Sequence, residues 1–250
     1  MKISRCRVSG NQYYCVINGE DVRLLSAPPF EQIVYNGRTV KKNDVTFLPP
    51  VSPSKIVAIG LNYRDHAKEF GKPMPEEPLI FIKPPSAVIG DGDDIVYPAM
   101  SERVDYEGEL AVVIGRLAKQ VSVEQAKDHI FGFTIMNDVT ARDLQAKDVQ
   151  YTRAKGFDTF APVGPWIETE LAPENLSVKT SVNGILKQDG TTADMKFSVY
   201  QIISFVSQVM ALLPGDVIST GTPPGIGPMH RGDSVEVAIQ GIGILHNRLV

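Results

Sequence analysis

The chain has 250 residues, of which 43% are hydrophobic and 22% are charged, so it can bury a sizeable core in one large domain with a small one beside it. A net charge of −4 without a basic run argues against a nucleic-acid partner, and no apolar run approaches the ~20 residues of a membrane span. The N-terminus lacks the apolar core of a signal peptide, so we expect a soluble cytoplasmic protein.

The first 53 residues predict a small N-terminal β domain, followed by a larger domain over residues 54–250. Short β-prone segments flank Asn18-Gly19 and Asn36-Gly37, and these dipeptides favour hairpin turns. A proline cluster that begins at Pro49 interrupts this pattern and marks the predicted boundary.

The two cysteines of the chain lie in the first predicted hairpin. If Gly10-Asn11 forms a two-residue turn, Cys6 faces Cys15 across the two strands, and a disulfide is geometrically possible. The alternative is a pair of reduced thiols in a small sheet, which is the state typical of a cytoplasmic protein.

A candidate catalytic pair follows the first strand of the larger domain. Lys55–Ile59 is predicted as a short buried strand, and Asn62 can cap a helix over Tyr63–Phe70. His66 and Glu69 lie at positions i and i+3, on one face of this helix. A carboxylate beside an imidazole can orient the ring, raise its basicity and hold a water molecule. The alternative is a surface helix with an incidental contact between the two side chains.

The stretch Val104–Ile114 alternates in the manner of a strand and carries three acidic residues. Asp105, Glu107 and Glu109 fall on one face of this strand. Glu107 and Glu109 would then lie about 6.6 Å apart along the strand. A half-solvated strand with an acidic outer face is the alternative to a site.

A third carboxylate follows the next apolar run. Ile130–Met136 is predicted as a buried strand, and it ends in Asn137-Asp138. A carboxylate at the end of a buried strand is destabilising unless something pairs with it. Glu107, Glu109 and Asp138 would offer only oxygen ligands, which suit Mg²⁺, Mn²⁺ or Ca²⁺ and suit Zn²⁺ poorly.

Several cationic and polar side chains accompany these carboxylates. Lys83 ends a short apolar strand and is either a cation of the site or an exposed charge. A helix predicted over Thr140–Lys147 carries Arg142 and Gln145 just beyond the acidic cluster, and Lys155 follows. These cations could bind an anionic substrate or simply balance the negative charge.

The rest of the chain predicts one amphipathic helix among further strands. The expected elements are turns at Val182–Ile185 and Asp189-Gly190, a helix over Val199–Leu213, and strands over 217–220, 234–239 and 243–249. The loop 221–227 is not a phosphate-binding P-loop, but its backbone and the hydroxyl of Thr222 could contact a carboxylate; a tight turn is the alternative. The many strands without βαβ alternation predict a mixed, β-rich α+β fold.

Six stretches of the chain resemble the fumarylacetoacetate hydrolase family and occur in the family's order. They are Gly60–Glu69, Phe81–Ser86, Tyr106–Leu110, Asn137–Asp143, Arg153–Phe157 and Gly221–Gly225. Each motif alone is weak, but the ordered set is specific. The resemblance implies a mixed β-sandwich roll, a homodimer, and a Mg²⁺ or Mn²⁺ site.

The same resemblance implies roles for individual residues. The metal ligands would be Glu107, Glu109 and Asp138. The catalytic residues would be His66 and Glu69, as a dyad on a mobile lid, together with Lys155 near the metal. The substrate contacts would be Tyr63, Lys83, Arg142, Gln145 and Thr222.

The chain looks like the smaller bacterial and mitochondrial members of the family, because its N-terminal part is short and the extra acidic ligand of the founding hydrolase has no clear equivalent. Those members include acylpyruvate hydrolases, oxaloacetate decarboxylases and 2-hydroxyhepta-2,4-diene-1,7-dioate isomerases. In all three, a metal that chelates a pyruvate-like 2-oxo acid stabilises an enolate.

Among these activities, the pair of His66 and Glu69 favours C–C bond hydrolysis of an acylpyruvate, because only hydrolysis needs a base that activates water. Decarboxylation and isomerisation on the same metal site are the alternatives. A non-enzymatic protein with a structural Ca²⁺ is a remote one.

Overall fold

The computed structural model describes residues 1–69, 71 and 73–250. Strands dominate, and the ten in the first half of the chain are β1 Lys2–Val8, β2 Asn11–Asn18, β3 Asp21–Leu25, β4 Tyr35–Lys41, β5 Thr46–Leu48, β6 Ile56–Gly60, β7 Leu79–Lys83, β8 Val88–Ile89, β9 Asp94–Ile95 and β10 Val104–Tyr106. A short helix, α1 Arg64–Glu69, lies between β6 and β7.

The second half of the chain continues this pattern. Its strands are β11 Gly108–Ile114, β12 Ile130–Asn137, β13 Thr140–Ala141, β14 Ala161–Glu168, β15 Ser177–Val182, β16 Ile185–Thr191, β17 Val217–Ser219, β18 Gly227–Met229, β19 Ser234–Ile239 and β20 Gly243–Leu249. Its α-helices are α2 Arg142–Asp148, α3 Thr152–Lys155 and α4 Val199–Val209.

The described residues form three sheets. The large sheet has the order β4-β3-β2-β1-β14-β12-β11-β17-β6-β7, with β5 beside β1 and β8 beside β14. A five-stranded sheet, β16-β15-β19-β20-β9, and a three-stranded sheet, β13-β10-β18, are the other two. Most pairs are antiparallel, but β6 and β17 run parallel. This confirms the predicted mixed, β-rich α+β fold.

The main core lies between the large sheet, the five-stranded sheet and α4. Leu110 and Ile135 on β11 and β12 pack in one cluster with Val178 and Val237 of the smaller sheet. These four side chains are at most 1% exposed, so burial of their apolar surface, at roughly 25 cal/mol per Å², holds the two layers together. The strands that carry the acidic residues are therefore rigid central elements.

Helix α4 begins with a capping box and is shorter than predicted. Ser198 and Gln201 form the reciprocal hydrogen bonds of this cap. The prediction that the helix continues to Leu213 was wrong, because the chain turns extended at Met210. Leu212 instead exchanges two backbone hydrogen bonds of 2.9 Å with Ala118, which buries the apolar side chain outside the helix.

The predicted register of the first hairpin was also wrong. The turn lies at Ser9-Gly10, where both residues have positive φ (49° and 84°), and Gly10-Asn11 is not its centre. Cys6 therefore faces Tyr13, and Cys15 faces Ser4. Both cysteines are buried free thiols.

Two further turn predictions were wrong, and one was confirmed. Asn36-Gly37 lies inside β4, where the register with β3 shifts by a bulge and Gly37 has a φ of +85°. Asp189-Gly190 lies inside β16. The turn between β15 and β16 does lie at Asn183-Gly184, with both residues at positive φ.

The N-terminal strands are joined to the rest of the molecule through one strand pair. β1 pairs with β14, and Ile3 lies opposite Ile167. The first four strands thereby extend the large sheet. The division of the chain after residue 53 into two domains stays a prediction.

The helix predicted to end at Phe70 begins at Arg64 and is described to Glu69, and Phe70 itself lies outside the described residues. None of the helices formed by the described residues is long and apolar enough to cross a membrane.

Candidate metal centre and active site

Three buried carboxylates meet where the large and the three-stranded sheets join. Glu107 links β10 to β11, Glu109 lies on β11, and Asp138 follows β12. The three side chains offer oxygen atoms that all lie within 4.8 Å of one another. Strands β11 and β12 are neighbours, and Gly108 lies opposite Asn137. Asp138 directly follows Asn137 and therefore lies next to both glutamates.

The predicted single strand Val104–Ile114 is broken at Glu107. The backbone N–H of Glu107 donates to the side-chain oxygen of Asn137 at 2.9 Å, and the N–H of Asp138 donates to the carbonyl of Glu107 at 2.8 Å. These bonds replace strand pairing at this residue, so the chain passes from one sheet to the other. The break also separates Asp105 from the metal cluster, although simple alternation places it on the same face.

The donor set fits a hard divalent cation. All three side chains offer oxygen, and each is at most 5% exposed. Two oxygens bound to one Mg²⁺ lie at most about 4.2 Å apart, since each bond is about 2.1 Å long. Small side-chain shifts from the present arrangement, within 4.8 Å, therefore suffice.

Three cationic side chains pair with these carboxylates. Lys155 donates to Glu107 Oε2 at 2.8 Å and to Asp138 Oδ2 at 2.5 Å. Lys83 donates to Asp138 Oδ1 at 2.6 Å, and Arg142 donates to Glu107. Each carboxylate oxygen of Glu107 and Asp138 thus has a cationic donor, which offsets much of the cost of burying charge.

The surroundings move the pKa values of these groups in opposite directions. Burial alone would raise the pKa of Glu107, but Lys155 and Arg142 lower it below its usual range. Burial raises the pKa of Glu109, and the negative charges of Asp138 and Glu107 raise it further. Burial lowers the pKa of Lys83 to about 8. A nearby cation would therefore favour the ionised form of Glu109.

Two donors anchor Glu109 at the same oxygen atom. The hydroxyl of Ser219 donates to Oε2 at 2.5 Å, and the backbone N–H of Gly221 donates to the same atom at 2.8 Å. These two hydrogen bonds hold the carboxylate of Glu109 in place. Ser219 was missed by sequence reasoning, because only the neighbouring strands β11 and β17 bring it to Glu109.

The predicted pair on α1 is formed. His66 Nδ1 lies 3.2 Å from Glu69 Oε2, and Glu69 also accepts a 3.3 Å hydrogen bond from the backbone N–H of Gly225. Burial lowers the pKa of His66, while Glu107 and Glu69 partly oppose this effect. The imidazole is therefore neutral near pH 7 and can accept a proton.

Asn62 does not cap α1 through its side chain, contrary to the prediction. Its amide donates to the carbonyl of Thr220 at 2.8 Å and accepts from the N–H of Phe197 at 2.9 Å. Gly221 lies against it at a φ of +96°, and a Cβ at Gly221 would come within 2.8 Å of Asn62 Cβ. Asn62 thus joins the start of the helix to the loop that holds Glu109.

A cavity opens over the carboxylates. Its lining residues are Ile59, Gly60, Leu61, His66, Phe81, Glu107, Glu109, Asp138, Arg142, Gln145, Tyr151, Lys155 and Thr222. Eight of the eleven predicted site residues are in this set. Glu69 and Lys83 lie behind the cavity lining, where Glu69 contacts His66 and Lys83 contacts Asp138. Phe81 and Tyr151 were not predicted, and their rings pack edge to face at 5.3 Å.

Tyr63 and Thr222 have distinct surroundings within this region. Among the described residues, the buried hydroxyl of Tyr63 has no hydrogen-bond partner, and burial followed by the charge of Glu109 raises its pKa. The hydroxyl of Thr222 donates to the carbonyl of Gly108 at 2.9 Å and accepts from Gln188 at 2.8 Å. The hydroxyl hydrogen of Thr222 is therefore engaged within the protein. Their roles in substrate binding stay predictions.

Gln188 is a further residue that sequence reasoning missed. It is fully buried on β16, accepts from the N–H of Gly108 at 3.0 Å and donates to the carbonyl of Pro223 at 2.7 Å. It therefore ties the strand of the metal ligands to the loop of Thr222. No local motif marks it, because its partners are 80 and 35 residues away in the chain.

Comparison with known proteins places this arrangement in a family. Residues 55–250 match the family model described as fumarylacetoacetate (FAA) hydrolase C-terminal, and residues 1–50 match the model described as Rv2993c-like, N-terminal. The human mitochondrial oxaloacetate tautomerase FAHD2A is 43% identical over 222 residues, which are 84% of this chain and 71% of that protein.

Two solved structures extend the comparison. The crystal structure of 2-hydroxyhepta-2,4-diene-1,7-dioate isomerase from Mycobacterium marinum superposes with a TM-score of 0.94 at 44% identity, covering 100% of this chain and 98% of the other. Maleylpyruvate hydrolase from Sphingobium sp. SYK-6, in complex with manganese(II) ion and pyruvate, superposes with a TM-score of 0.84 at 30% identity, covering 100% of this chain and 99% of the other.

Proposed function

The chain belongs to the fumarylacetoacetate hydrolase family, and we propose that it is a divalent-metal-dependent enzyme that acts on a small 2-oxo acid. The observation that carries this proposal is the set of three buried carboxylates within 4.8 Å of one another, beside three cationic side chains and a cavity. A merely structural cation site needs neither the cationic side chains nor the neutral imidazole that lines the same cavity.

The proposed cofactor is Mg²⁺ or Mn²⁺, held by Glu107, Glu109 and Asp138. When bound, it would supply the positive charge that stabilises an enolate next to a 2-oxo group. The Mn²⁺ and pyruvate in the Sphingobium hydrolase support this choice of ion and of ligand class.

The chain's own residues supply binding, orientation and proton transfer. Arg142 and Gln145 line the cavity, and a guanidinium can hold a carboxylate through two parallel hydrogen bonds. Lys155 adds a second positive charge, and its side chain is only 3% exposed. Water is largely excluded from these charges, which strengthens their interaction with an anionic substrate.

The reaction that we propose first is relocation of a proton in a 2-oxo acid, such as conversion of enol-oxaloacetate to its keto form. The enol oxygen loses a proton, C3 gains one, and no C–C bond breaks. His66 can take the first proton, and the ammonium of Lys155 is a second exchangeable group in the cavity. The names of the human tautomerase and the Mycobacterium marinum isomerase support this class of reaction.

The second candidate is hydrolysis of the C–C bond of an acylpyruvate, and the contact between His66 and Glu69 favours it. Hydrolysis requires a base that activates water against the distal carbonyl, and an imidazole oriented by a carboxylate is such a base. Decarboxylation of oxaloacetate passes through the same enolate and would use the same metal site.

Assays of the metal-loaded protein test the proposal. We expect Mn²⁺ to bind, oxalate to bind tightly only when Mn²⁺ is present, and the protein to accelerate ketonisation of enol-oxaloacetate beyond an equal concentration of free Mn²⁺. Acylpyruvate cleavage and release of CO₂ from oxaloacetate are measured in parallel. A protein that binds Mn²⁺ but is indifferent to oxalate, and inactive in all three assays, would have a structural cation instead.

A further inference from the structure

We infer that Asp105 is a positioning residue that aims the guanidinium of Arg142 into the cavity. The inference rests on the proposed function, in which Arg142 holds the substrate carboxylate. Asp105 is not part of the cavity lining and does not belong to the carboxylate cluster. Its connection to the cavity runs through Arg142, which donates to it and lines the cavity.

Asp105 is built into the protein interior. Its side chain is 0% exposed on β10, where it lies opposite Thr140 of β13 and Pro228 of β18. Strands β13 and β18 both pair with β10 at this residue, so the backbone position of Asp105 is fixed. A buried carboxylate is destabilising unless cations and hydrogen bonds satisfy it, and two arginines do so here.

The hydrogen bonds of Asp105 are specific. Its Oδ2 accepts from Arg142 Nε at 3.0 Å. Arg103, whose side chain is half exposed, donates from Nε to Oδ1 at 2.8 Å and from its terminal nitrogen to Oδ2 at 3.1 Å. The carboxylate thus links a surface arginine to the arginine of the cavity.

Arg142 is held at three of its nitrogen atoms. Nε donates to Asp105, one terminal nitrogen donates to Gln145 at 2.6 Å, and the other donates to Glu107. Gln145 and Glu107 both line the cavity, whereas Asp105 does not. Asp105 is therefore the partner that holds the guanidinium from outside the cavity, while the two terminal nitrogens of Arg142 contact residues of the cavity lining.

The negative charge of Asp105 allows a positioning role to be distinguished from a purely electrostatic effect, because the two predict opposite changes in anion affinity. Asp105 is an anion close to a site for anions, so its Coulomb effect weakens the binding of a negative ligand. Replacing it with Asn should tighten that binding if charge alone matters. If Asp105 positions Arg142, the same replacement should weaken binding, because the guanidinium loses its anchored orientation.

The test uses Asp105→Asn in the full chain with Mn²⁺. We expect Mn²⁺ affinity within threefold of wild type, oxalate affinity reduced by tenfold or more, and a rise in KM larger than any fall in kcat. Arg103→Gln is the matched control, since it removes the other arginine of Asp105 and should change oxalate affinity less than twofold. In an Arg142→Gln background, Asp105→Asn should have no further effect on oxalate affinity.

Oxalate binding equal to or tighter than wild type in Asp105→Asn would overturn the inference, as would full additivity in the double variant. If Asp105→Asn does not fold, Arg142→Lys decides, because it keeps the charge without the anchored Nε; wild-type oxalate affinity in that variant would also overturn the inference. Failure of the wild-type protein itself to bind oxalate with Mn²⁺ would instead refute the proposed function.

Discussion

Asp138 Oδ2 lies 2.5 Å from the ammonium of Lys155, so a buried lysine contacts a carboxylate that we assign to the metal. Lys155 also lies 2.8 Å from Glu107, and it therefore bridges two of the three proposed ligands. Burial opposes its charge, but Asp138 and Glu107 together raise its pKa above the ordinary value. This ammonium offsets the repulsion between the carboxylates, and a divalent cation on the same oxygens would do the same.

Replacing Lys155 with Met should therefore destabilise the protein in a way that metal reverses. We expect the free energy of unfolding in chelator to fall by about 3–5 kcal/mol, the usual range for breaking a buried ion pair, and Mn²⁺ to restore much of it. Urea unfolding with and without Mn²⁺ measures both effects. Lys179→Met is the control, because Lys179 pairs with Asp189 at an exposed position. Equal effects of the two substitutions would contradict the prediction.

Asp138→Asn should abolish tight binding of Mn²⁺, because it removes one anionic oxygen donor from a set of three. Titration calorimetry measures this loss directly, and activity should disappear with it. In the wild-type protein, chelator should abolish activity, and either Mg²⁺ or Mn²⁺ should restore it. Asp148→Asn is the control, since Asp148 pairs with Arg153 outside the cavity lining and should leave metal affinity unchanged. A metal-free but fully active Asp138→Asn protein would refute the site.

The carboxylate cluster could be predicted because each of its residues stands in a recognisable local sequence pattern. Glu107 and Glu109 are two residues apart in an apolar context, and Asp138 ends a buried strand. The break at Glu107 could not be predicted, since it depends on the side chain of Asn137 from another strand. Without this break, alternation along a single strand places Asp105 on the same face as the two glutamates.

Errors in the N-terminal region have a different physical origin. Both Gly10-Asn11 and Ser9-Gly10 can form a tight turn, and a shift of one residue changes every cross-strand partner of Cys6. Asn36-Gly37 has turn chemistry but serves a bulge, because Gly37 takes the positive φ that the bulge requires. The conformational preference of glycine predicted the positive φ of Gly37 correctly, but it did not predict that this residue lies in a bulge inside a strand.

The fall of kcat/KM on the acid side of the pH profile (the acid limb) should occur at a pH below the ordinary histidine pKa of 6.5. A base must be neutral to accept a proton, and burial lowers the pKa of His66 below 6.5, so the neutral form persists at lower pH. Glu69 raises this pKa by hydrogen bonding and by charge, and therefore Glu69→Gln should move the acid limb to still lower pH. Profiles of kcat/KM against pH for both proteins measure the shift. An acid limb above pH 6.5, or its movement upward in Glu69→Gln, would contradict this assignment.

We expect the protein to be a homodimer, and an exposed edge of the large sheet is the candidate interface. The apolar side chains of α4 are mostly turned into the chain's own core. Leu79 and Ile82 are 40% and 45% exposed on β7, a terminal strand of the large sheet, and Val149 nearby is 83% exposed. Exposed apolar groups on an edge strand are typical of an interaction surface.

Light scattering at micromolar concentration should give twice the monomer mass of 27.3 kDa. Ile82→Lys should shift the mass toward the monomer, whereas Ile185→Lys, at a 61% exposed position on β16, should not. A wild-type mass of 27.3 kDa would rule out the dimer.

A variant that breaks the contact between His66 and Glu69 distinguishes the two proposed reactions. In a hydrolase, Glu69 would orient His66, and the pair would deprotonate a water molecule aimed at the distal carbonyl of an acylpyruvate. Loss of a general base commonly lowers a rate by ~10²–10⁴. Glu69→Gln should therefore reduce acylpyruvate cleavage by that factor while Mn²⁺ affinity stays unchanged, because Glu69 is not a metal ligand.

Ketonisation of enol-oxaloacetate should suffer less in Glu69→Gln, because it needs no activated water and Lys155 remains as a second proton carrier. Both reactions are measured on both proteins, with Asp65→Asn as the control, since Asp65 lies on the same short helix and pairs with Lys68 at an exposed position. Hydrolysis that is unchanged in Glu69→Gln would remove the pair from the mechanism. Ketonisation without detectable pyruvate from any acylpyruvate would identify the enzyme as a tautomerase, and the pair would then serve only to place His66 in the cavity.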